Sequence, residues 1–579
     1  MTTNRLFSFI FAASLALAGS AWGQSKISWD LAGLNPNANI KVIVQFKQPP
    51  TDVHHKKVTV LGGRLHGELG VINSGHYSIS AANLNDLAND PDVAYISPDR
   101  PVHGMLDYAV PTVGADIALR SNIDGNGVGI AVIDSGVRQK LDLSDPILVF
   151  LSRIAYVEDF TANPSTTDPY GHGTHVTGII AGDAAMSFGK FRGIAPNANI
   201  ISFRVLDENG AGTDSGVIAA IQRAIALKTK YNIRVINLSL GRPVMESYKT
   251  DPLCQAVEQA WKAGIVVVVA AGNSGRDNSA GTSGYGTIQA PGNDPYVITV
   301  GAMKTMNTPS RADDLIASYS SKGPSVIDHV LKPDIIAPGN RVISLISDSS
   351  TLYQQSNSAN LVQCSYMTPF CIGNSTTYYR LSGTSMAAPM VSGAAALMLQ
   401  KHPALTPDQV KARLMKTASK TFPKFSTATD PVTGKTYTTQ YDIFTVGAGY
   451  LDVWAALNNN DVSTKSAVSP IAVYNPTTGK VTLKNTTKSA LWGDSALWGD
   501  HTVWGDYVWL ASSSALWGDS ALWGDSALWG DKTASSFSAL WGDKSLFATT
   551  SSSSLSSPSA SALNGVGAVG ISVTINGEN

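Results

Sequence analysis

Residues 381–393 read LSGTSMAAPMVSG, and their chemistry decides how the rest of the chain is read. A serine sits among small residues, Ala387, Ala388 and Pro389 follow within four positions, and Gly393-Ala-Ala-Ala-Leu-Met-Leu continues as a good helix former. Ser385 is therefore expected at a helix start. Little bulk around it leaves room for a carbonyl to approach, and the N–H groups and positive dipole end of the helix would face a developing oxyanion. Pro389 is expected to be tolerated because the first turn lacks N–H partners anyway.

A serine hydroxyl is a poor nucleophile without a base and a group that orients the base. Two segments upstream supply them. The apolar run GVGIAVID (127–134) reads as a buried strand ending on Asp134, and GHGTHVTG (171–178) opens a helix at His172. Function in open parallel sheets collects at the carboxyl ends of strands and the helix starts that follow. Asp134, His172 and Ser385 are thus candidate catalytic residues. Asn273, after the strand in VVVVAAGNSG (266–275), is placed to donate its amide to the same oxyanion. His175 lies three residues after His172, but neither a Glu nor a third ligand follows at metalloprotease spacing, so it reads as a structural core histidine and no metal is assigned. Asp183 and Asp207 read as caps or turns.

From residue 122 strands and helices alternate. NIISFRVLD, IRVINLSLG and IVVVVAAG read as strands, and SGVIAAIQRAIALKTKYN and CQAVEQAWKAG as helices. Apolar runs without alternation fit strands covered on both faces. The fold class is therefore α/β, a mostly parallel doubly wound sheet. Two polar stretches, 349–379 and 419–441, read as surface insertions.

The segments AVIDSGV, GHGTHVTGIIAG, INLSLG, VVVAAGNSG, YVITVGA, ASYSSKGP, KPDIIAPG and LSGTSMAAPMVSGAAALML are collinear over roughly 122 to 457. Together they resemble the subtilisin-like serine peptidases, the subtilases. The resemblance implies endopeptidase activity on protein or peptide substrates, with Asp134, His172 and Ser385 as the triad and Asn273 as oxyanion donor. It also implies a substrate-binding edge at Ser239, Leu240 and Gly241, near Gly212, and at Ala271 and Gly272. Gln289 falls where many members carry a glycine at the base of the S1 pocket, which implies a shallower, more polar pocket. No cofactor is needed for the chemistry. Structural calcium is a family trait that the motifs here do not support: DAAMSFGKFRGIAP (183–196) lacks the Asn-rich calcium loop, and Asp142 is one residue out of register with a calcium-binding aspartate.

The flanking regions divide the chain further. Residues 1–23 combine Arg5, an apolar stretch too short to span a bilayer and the small-x-small site Ala21-Trp22-Gly23, the pattern of a secretory signal peptide. Residues 24–105 contain KVIVQFK and LNDLANDPDVAYISPDRPV, a small α+β unit similar to the family's inhibitory propeptide, which implies a zymogen cut somewhere near 100–110 and inhibited by its own propeptide. LDYAVPTVGAD reads as a linker into the peptidase domain, 106–460. Residues 461–490 read as a second linker. Seven Trp-Gly-Asp triplets follow within 491–543, with tryptophans at 492, 498, 504, 517, 523, 529 and 541. Their mostly six-residue step scatters tryptophans around a helix and suits short strands with Gly-Asp turns. Residues 544–579 form a Ser-rich tail ending in VGAVGISVTING, which has strand character.

Charge excludes some classes. The chain has 42 basic and 43 acidic residues, a net of −1, without the basic face a nucleic-acid binder carries. No later stretch is long enough to span a bilayer, so export as a soluble protein is expected, extracellular or periplasmic, with cell-surface association left open by the repeats. Of three cysteines, Cys364 and Cys371 flank a short loop and could close a disulfide in an oxidising compartment, while Cys254 reads as a buried small hydrophobe. Two function classes remain: a secreted self-processing serine endopeptidase, or an adhesive protein that keeps the fold and works through its Trp repeats, by surface or glycan contact. The complete triad and the propeptide favour the first.

Overall fold

The computed structural model describes residues 26–484, with short interruptions at 29–30, 32–34, 99–107, 146–149, 356–358, 368–370, 431, 465 and 476–479, and then residues 569–570 and 578. The segment read as a signal peptide, the Trp-Gly-Asp repeats and the Ser-rich part of the tail lie outside the described residues. The chain divides into two compact units, Met1–Gly104 and Met105–Asn579.

The first unit is built from β1 (Asn39–Phe46), α1 (Asp52–Val60), β2 (Arg64–Leu69), β3 (Ser74–Ser80), α2 (Leu84–Asn89) and β4 (Val93–Pro98). Its antiparallel sheet runs β2-β3-β1-β4. Alternating residues of β1, Val42, Val44 and Phe46, turn inward and pack with Val58, Tyr77, Leu87 and Ile96 into a core of its own. Four strands and two short helices make this block the α+β unit expected of it.

The second unit opens with α3 (Ala109–Thr112) and α4 (Ala115–Arg120). Here LDYAVPTVGAD is no linker from Ala109 onward: Ala109, Val113, Ala115 and Ala118 are buried in the main core. Pro111 lies within α3 and Gly114 caps α4, so neither sits in a free connection.

The central sheet contains β5 (Gly129–Asp134), β6 (Ile154–Asp159), β7 (Asn199–Arg204), β8 (Ile233–Leu238), β10 (Val266–Ala270), β11 (Ile298–Lys304), β12 (Leu315–Ile316) and β13 (Ile335–Pro338); the short β9 (Leu240–Gly241) follows β8. The order is β12-β11-β10-β8-β5-β7-β6, with β13 also on β11. All pairs are parallel except β11 with β12. Every residue of β5 and β10 is buried, as continuous apolar runs require of strands covered on both faces. The helices α5 (His172–Ala181), α6 (Asp214–Tyr231) and α7 (Pro252–Lys262) follow the expected alternation. Asp251 caps α7, accepting from Leu253 N and Cys254 N, and Pro252 fills the first helical position.

The polar stretch 349–379 is more than a surface insertion. After β14 (Val342–Leu345) it supplies α8 (Thr351–Gln354), β15 (Leu361–Gln363) and most of β16 (Asn374–Leu381), in a sheet ordered β14-β16-β15. Tyr378 and Tyr379 are buried there. Cys364 and Cys371 form a disulfide, and Cys254 is a buried free thiol.

Then comes α9 (Thr384–Lys401), every residue of which is buried from Thr384 to Leu399. Its small residues make that possible: a Cβ on Gly393 would come within 2.5 Å of Ile194 Cβ. Beyond it lie α10 (Pro407–Thr417), the hairpin β17 (Phe425–Thr429) and β18 (Thr436–Gln440), α11 (Ile443–Val446) and α12 (Val453–Asn458). The hairpin matches the expected 419–441 insertion.

The stretch 461–490, read as a linker, is docked in its first part. Leu331 N donates to Pro470 O and Ala472 N to His329 O, and β19 (Ile471–Asn475) pairs with β20 (Lys480–Lys484). Ser469 Oγ joins a buried ion cluster: it donates to Asp334 Oδ1 at 2.6 Å, while Lys332 and Lys411 hold the same carboxylate at 2.7 and 3.1 Å. Spacing and composition carry no sign of such a long-range anchor.

Candidate active site

Asp134 ends β5 in the middle of the sheet, and His172 is the first residue of α5. Both are fully buried, and His172 Nδ1 is 2.8 Å from Asp134 Oδ1. The same oxygen accepts Ser135 N–H at 2.8 Å, which fixes the carboxylate plane. Gly173 must be a glycine here, because a Cβ would come within 2.1 Å of Gly136 O. Burial opposes a charge on His172, but the Asp134 carboxylate outweighs it and holds the imidazole pKa above its ordinary value. The imidazole Nε2 is buried without a hydrogen-bond partner, so the nitrogen that would act as base is left available.

His175 behaves as expected of a core residue. Its Nε2 meets Tyr379 O at 3.1 Å, and burial, with His172 nearby, pushes its pKa down to about 3. Among the described residues no cluster of three or more His, Cys, Asp or Glu side chains could hold a metal ion. Asp142 Oδ1 accepts Met186 N–H at 2.7 Å, and Oδ2 accepts the Tyr378 hydroxyl.

The helix start is held by a residue that the sequence reading passed over. Asp168 is buried and accepts from Gly171 N, Thr174 N and Thr174 Oγ1 at 2.7 Å and from Ser135 Oγ at 2.8 Å. Ser135 Oγ in turn accepts Gly173 N–H at 2.9 Å. Burial pushes the Asp168 carboxyl up against these four bonds. It caps the first turn from outside the helix and ties that turn to the residue after Asp134. An aspartate shortly before a Gly-His helix start is a legible signal of capping.

Ser385 is the second residue of α9. Its Oγ donates to Ser239 O at 3.2 Å, and Ser239 Oγ donates to Ser385 O at 2.9 Å. The expectation about Pro389 is corrected by this geometry. Pro389 is the sixth helical residue, past the first turn, so the N–H it lacks is the one that would reach the carbonyl four residues back. That carbonyl belongs to Ser385, and the Ser239 hydroxyl takes the place of the missing N–H. The chain of bonds continues inward: Asn237 Nδ2 donates to Ser239 Oγ at 3.0 Å, and Ser392 Oγ donates to Asn237 Oδ1 at 2.8 Å. A buried polar row thus clamps α9 to the end of β8.

Asn273 sits beside the same helix start. Its Oδ1 accepts Thr384 N–H at 2.9 Å and Thr384 Oγ1 at 3.1 Å, while Thr384 Oγ1 accepts Gly272 N–H at 3.1 Å. An N–H can only donate, so the Asn273 oxygen must face Thr384 and the NH2 must face away. A Cβ added to Gly383 would come within 3.0 Å of Asn273 Nδ2, and Gly383 has φ +154°. A side chain at 383 would therefore press on this amide.

The residues expected to form a substrate edge are placed as follows. Ser239, Leu240, Gly241, Ala271 and Gly272 are buried, and Gly212 is half-buried in a bridge to Leu206. Gln289 lies between the two segments: Cβ atoms built on Gly241 and Gly272 would come within 3.2 and 2.9 Å of its side chain. Its Oε1 is buried without a hydrogen-bond partner.

A serine hydroxyl, an imidazole backed by a buried carboxylate and an amide beside the start of α9 are groups that a serine hydrolase uses, here on a mostly parallel α/β sheet. Comparison with known proteins narrows this. The peptidase S8 model of the subtilase family matches residues 125–449. The chain is 37% identical over 366 residues to serine protease AprX of Bacillus subtilis (strain 168), covering 61% of this chain and 75% of that protein. It is 33% identical over 431 residues to subtilisin E of the same organism, covering 72% of this chain and 95% of that protein. A crystal structure of a cold adapted subtilisin-like serine proteinase aligns with 32% identity and a TM-score of 0.37, over 52% of this chain and 84% of that one. The chain belongs to the subtilase family and is a serine-type endopeptidase.

Proposed function

We propose that this chain is an exported, self-processing endopeptidase that cuts peptide bonds through an acyl-enzyme on Ser385. The observation that carries the reading is the buried Asp134–His172 pair, with His172 Nε2 unpartnered. Ser385 Oγ turns from the Ser239 carbonyl toward that nitrogen and attacks the scissile carbonyl carbon as His172 takes its proton. The tetrahedral oxyanion is held by Asn273 Nδ2 and the Ser385 N–H, which lies in the first turn where helical N–H groups have no intrahelical partner. The C–N bond then breaks, His172 protonates the leaving amine, and water repeats the sequence to free the acid. Asp134 keeps the imidazole in the tautomer that exposes Nε2.

Substrate lies along Ser239-Leu240-Gly241 on one side, with Gly212 beyond it and Ala271-Gly272 forming the other wall. Residues 24–105 act as the inhibitory propeptide, and their separate core supports the reading of a unit that folds by itself. Export rests on the N-terminal leader pattern, and no helix among the described residues is long and apolar enough to cross a membrane. Structural calcium, on the side-chain geometry at Asp142, is not part of this proposal.

The test is the intact mass of secreted Gln24–Asn579 as wild type and as Ser385→Ala. Loss of about 80 N-terminal residues in wild type alone supports self-processing at Ser385. Retention by both folded proteins contradicts self-processing and favours the adhesive reading. Loss by both means another peptidase matures the chain, and hydrolysis must then be assayed directly.

A further inference from the structure

The described part of the C-terminal tail lies on the catalytic domain at the substrate edge. Val569–Gly570 (β21) pairs antiparallel with β9, Val569 level with Gly241 and Gly570 level with Leu240. β9 begins one residue after Ser239, whose carbonyl accepts Ser385 Oγ. The strand therefore runs toward the nucleophile and uses backbone groups of the edge at which an extended substrate would add.

Eight residues further on, Glu578 is 1% exposed. Its Oε1 accepts Arg276 Nη2 at 2.6 Å, Ser318 N–H at 3.0 Å and the Ser318 hydroxyl, and Lys304 Nζ lies 3.4 Å from Oε2, an ion pair without hydrogen-bond geometry. Asn340 reads the backbone of the same residue: Glu578 N donates to Asn340 Oδ1 at 2.9 Å and Asn340 Nδ2 donates to Glu578 O at 2.8 Å. These partners come from four separate segments of the domain. Arg276 is itself held by Asp430 of β17–β18 at 2.9 Å and lies over the Tyr437 ring at 5.1 Å. Burying a carboxylate is costly without paired charge and hydrogen bonds, and this pocket supplies both for one side chain and its own backbone.

We propose that the C-terminal segment is a tethered, substrate-like inhibitor of its own active site. Val569–Gly570 occupies the substrate edge, and Glu578 is the anchor whose carboxylate pocket, Arg276, Lys304, Ser318 and Asn340, holds it there. The inhibition is competitive and reversible, because β21 takes backbone groups that an extended substrate would use. This inference rests on the peptidase reading above, and its test separates the two.

The experiment compares three forms of the processed protein on one peptide substrate: the full chain, the chain ending at residue 568, and Glu578→Gln. Truncation is expected to lower KM on the order of tenfold, the effect of a competitor that fills about 90% of sites, with kcat unchanged; Glu578→Gln falls between. A synthetic peptide of residues 565–579 should inhibit the truncated chain competitively, and its Glu578→Gln version at least about ten times more weakly, as loss of a buried charge-assisted contact implies. Equal KM in all three forms with no inhibition by millimolar peptide overturns the proposal, as does a drop in Tm on truncation with KM unchanged. If the truncated chain does not fold, Glu578→Gln in the full chain carries the KM comparison. Anisotropy of the fluorescein-labelled peptide on the truncated Ser385→Ala chain needs no catalysis. Binding there without activity in wild type sinks the peptidase reading alone, and activity without binding sinks the tail.

Discussion

Ser239 and Ser385 exchange hydrogen bonds in both directions: each hydroxyl donates to the other's backbone carbonyl, at 2.9 and 3.2 Å. One half of this exchange replaces the helical N–H that Pro389 lacks. Ser239→Ala should therefore leave a buried carbonyl unsatisfied and cost about 1–3 kcal/mol of stability. Pro389→Ala restores an N–H donor, so the Ser239→Ala cost should shrink by about 1 kcal/mol in that background. Urea unfolding of the four proteins, all carrying Ser385→Ala to prevent self-digestion, gives the coupling. Additive costs would mean that the hydroxyl is not standing in for the helix bond.

The His172 pKa, raised above its ordinary 6.5, sets the pH dependence. The base must be neutral, so kcat/KM should climb with pH through a midpoint above 6.5. Asp134→Asn should move that midpoint down and lower kcat by about 10⁴, a magnitude borrowed from the equivalent change in chymotrypsin-type enzymes. Stability runs the other way. The group is raised in the folded state, so its contribution is full below the unfolded pKa and is lost as pH rises through the folded one. A midpoint below 6.5 in wild type would contradict the Asp134 contribution.

Gln289 should restrict the first specificity pocket. Wild type is expected to favour small or polar residues before the cut, and Gln289→Gly to gain at least about tenfold in kcat/KM for large aromatics, on the scale of a few buried methylenes. Cleavage profiling of a peptide library reads this. A wild-type preference for large aromatics that persists unchanged in Gln289→Gly would remove Gln289 from the pocket.

The Asp334 cluster is a stability element. Burial lowers the Lys411 pKa to about 7, and Asp334 works against that. Asp334→Ala leaves Lys332 and Lys411 buried without their carboxylate and should cost about 3–5 kcal/mol. Thermal unfolding in the Ser385→Ala background checks it, and a change under about 1 kcal/mol would show that water enters the cluster.

The alternation of strands and helices, the burial of β5 and β10 and the positions of Asp134, His172 and Ser385 were legible because local pattern encodes them. Each follows from an apolar run, a helix start or a spacing of small residues. Asp168 was overlooked although its place before a helix start is a local signal. Ser239 as the donor for Ser385's carbonyl, Ser469 as an anchor and Glu578 in its pocket were not legible. They join residues 58 to 302 positions apart, and such contacts leave no periodicity to read. LDYAVPTVGAD reads as a linker because Pro111 and Gly114 interrupt any periodic pattern, whereas Pro111 lies within the short α3 and Gly114 caps α4.

The central claim is that Ser385 is a nucleophile activated by His172. The direct measurement is the rate and position of labelling by a fluorophosphonate, followed by peptide mass mapping. The account predicts one label per chain, on Ser385, with labelling at least about 10³-fold slower in His172→Ala, as loss of a triad base implies. Label on another residue, or an unchanged rate in folded His172→Ala, would contradict it.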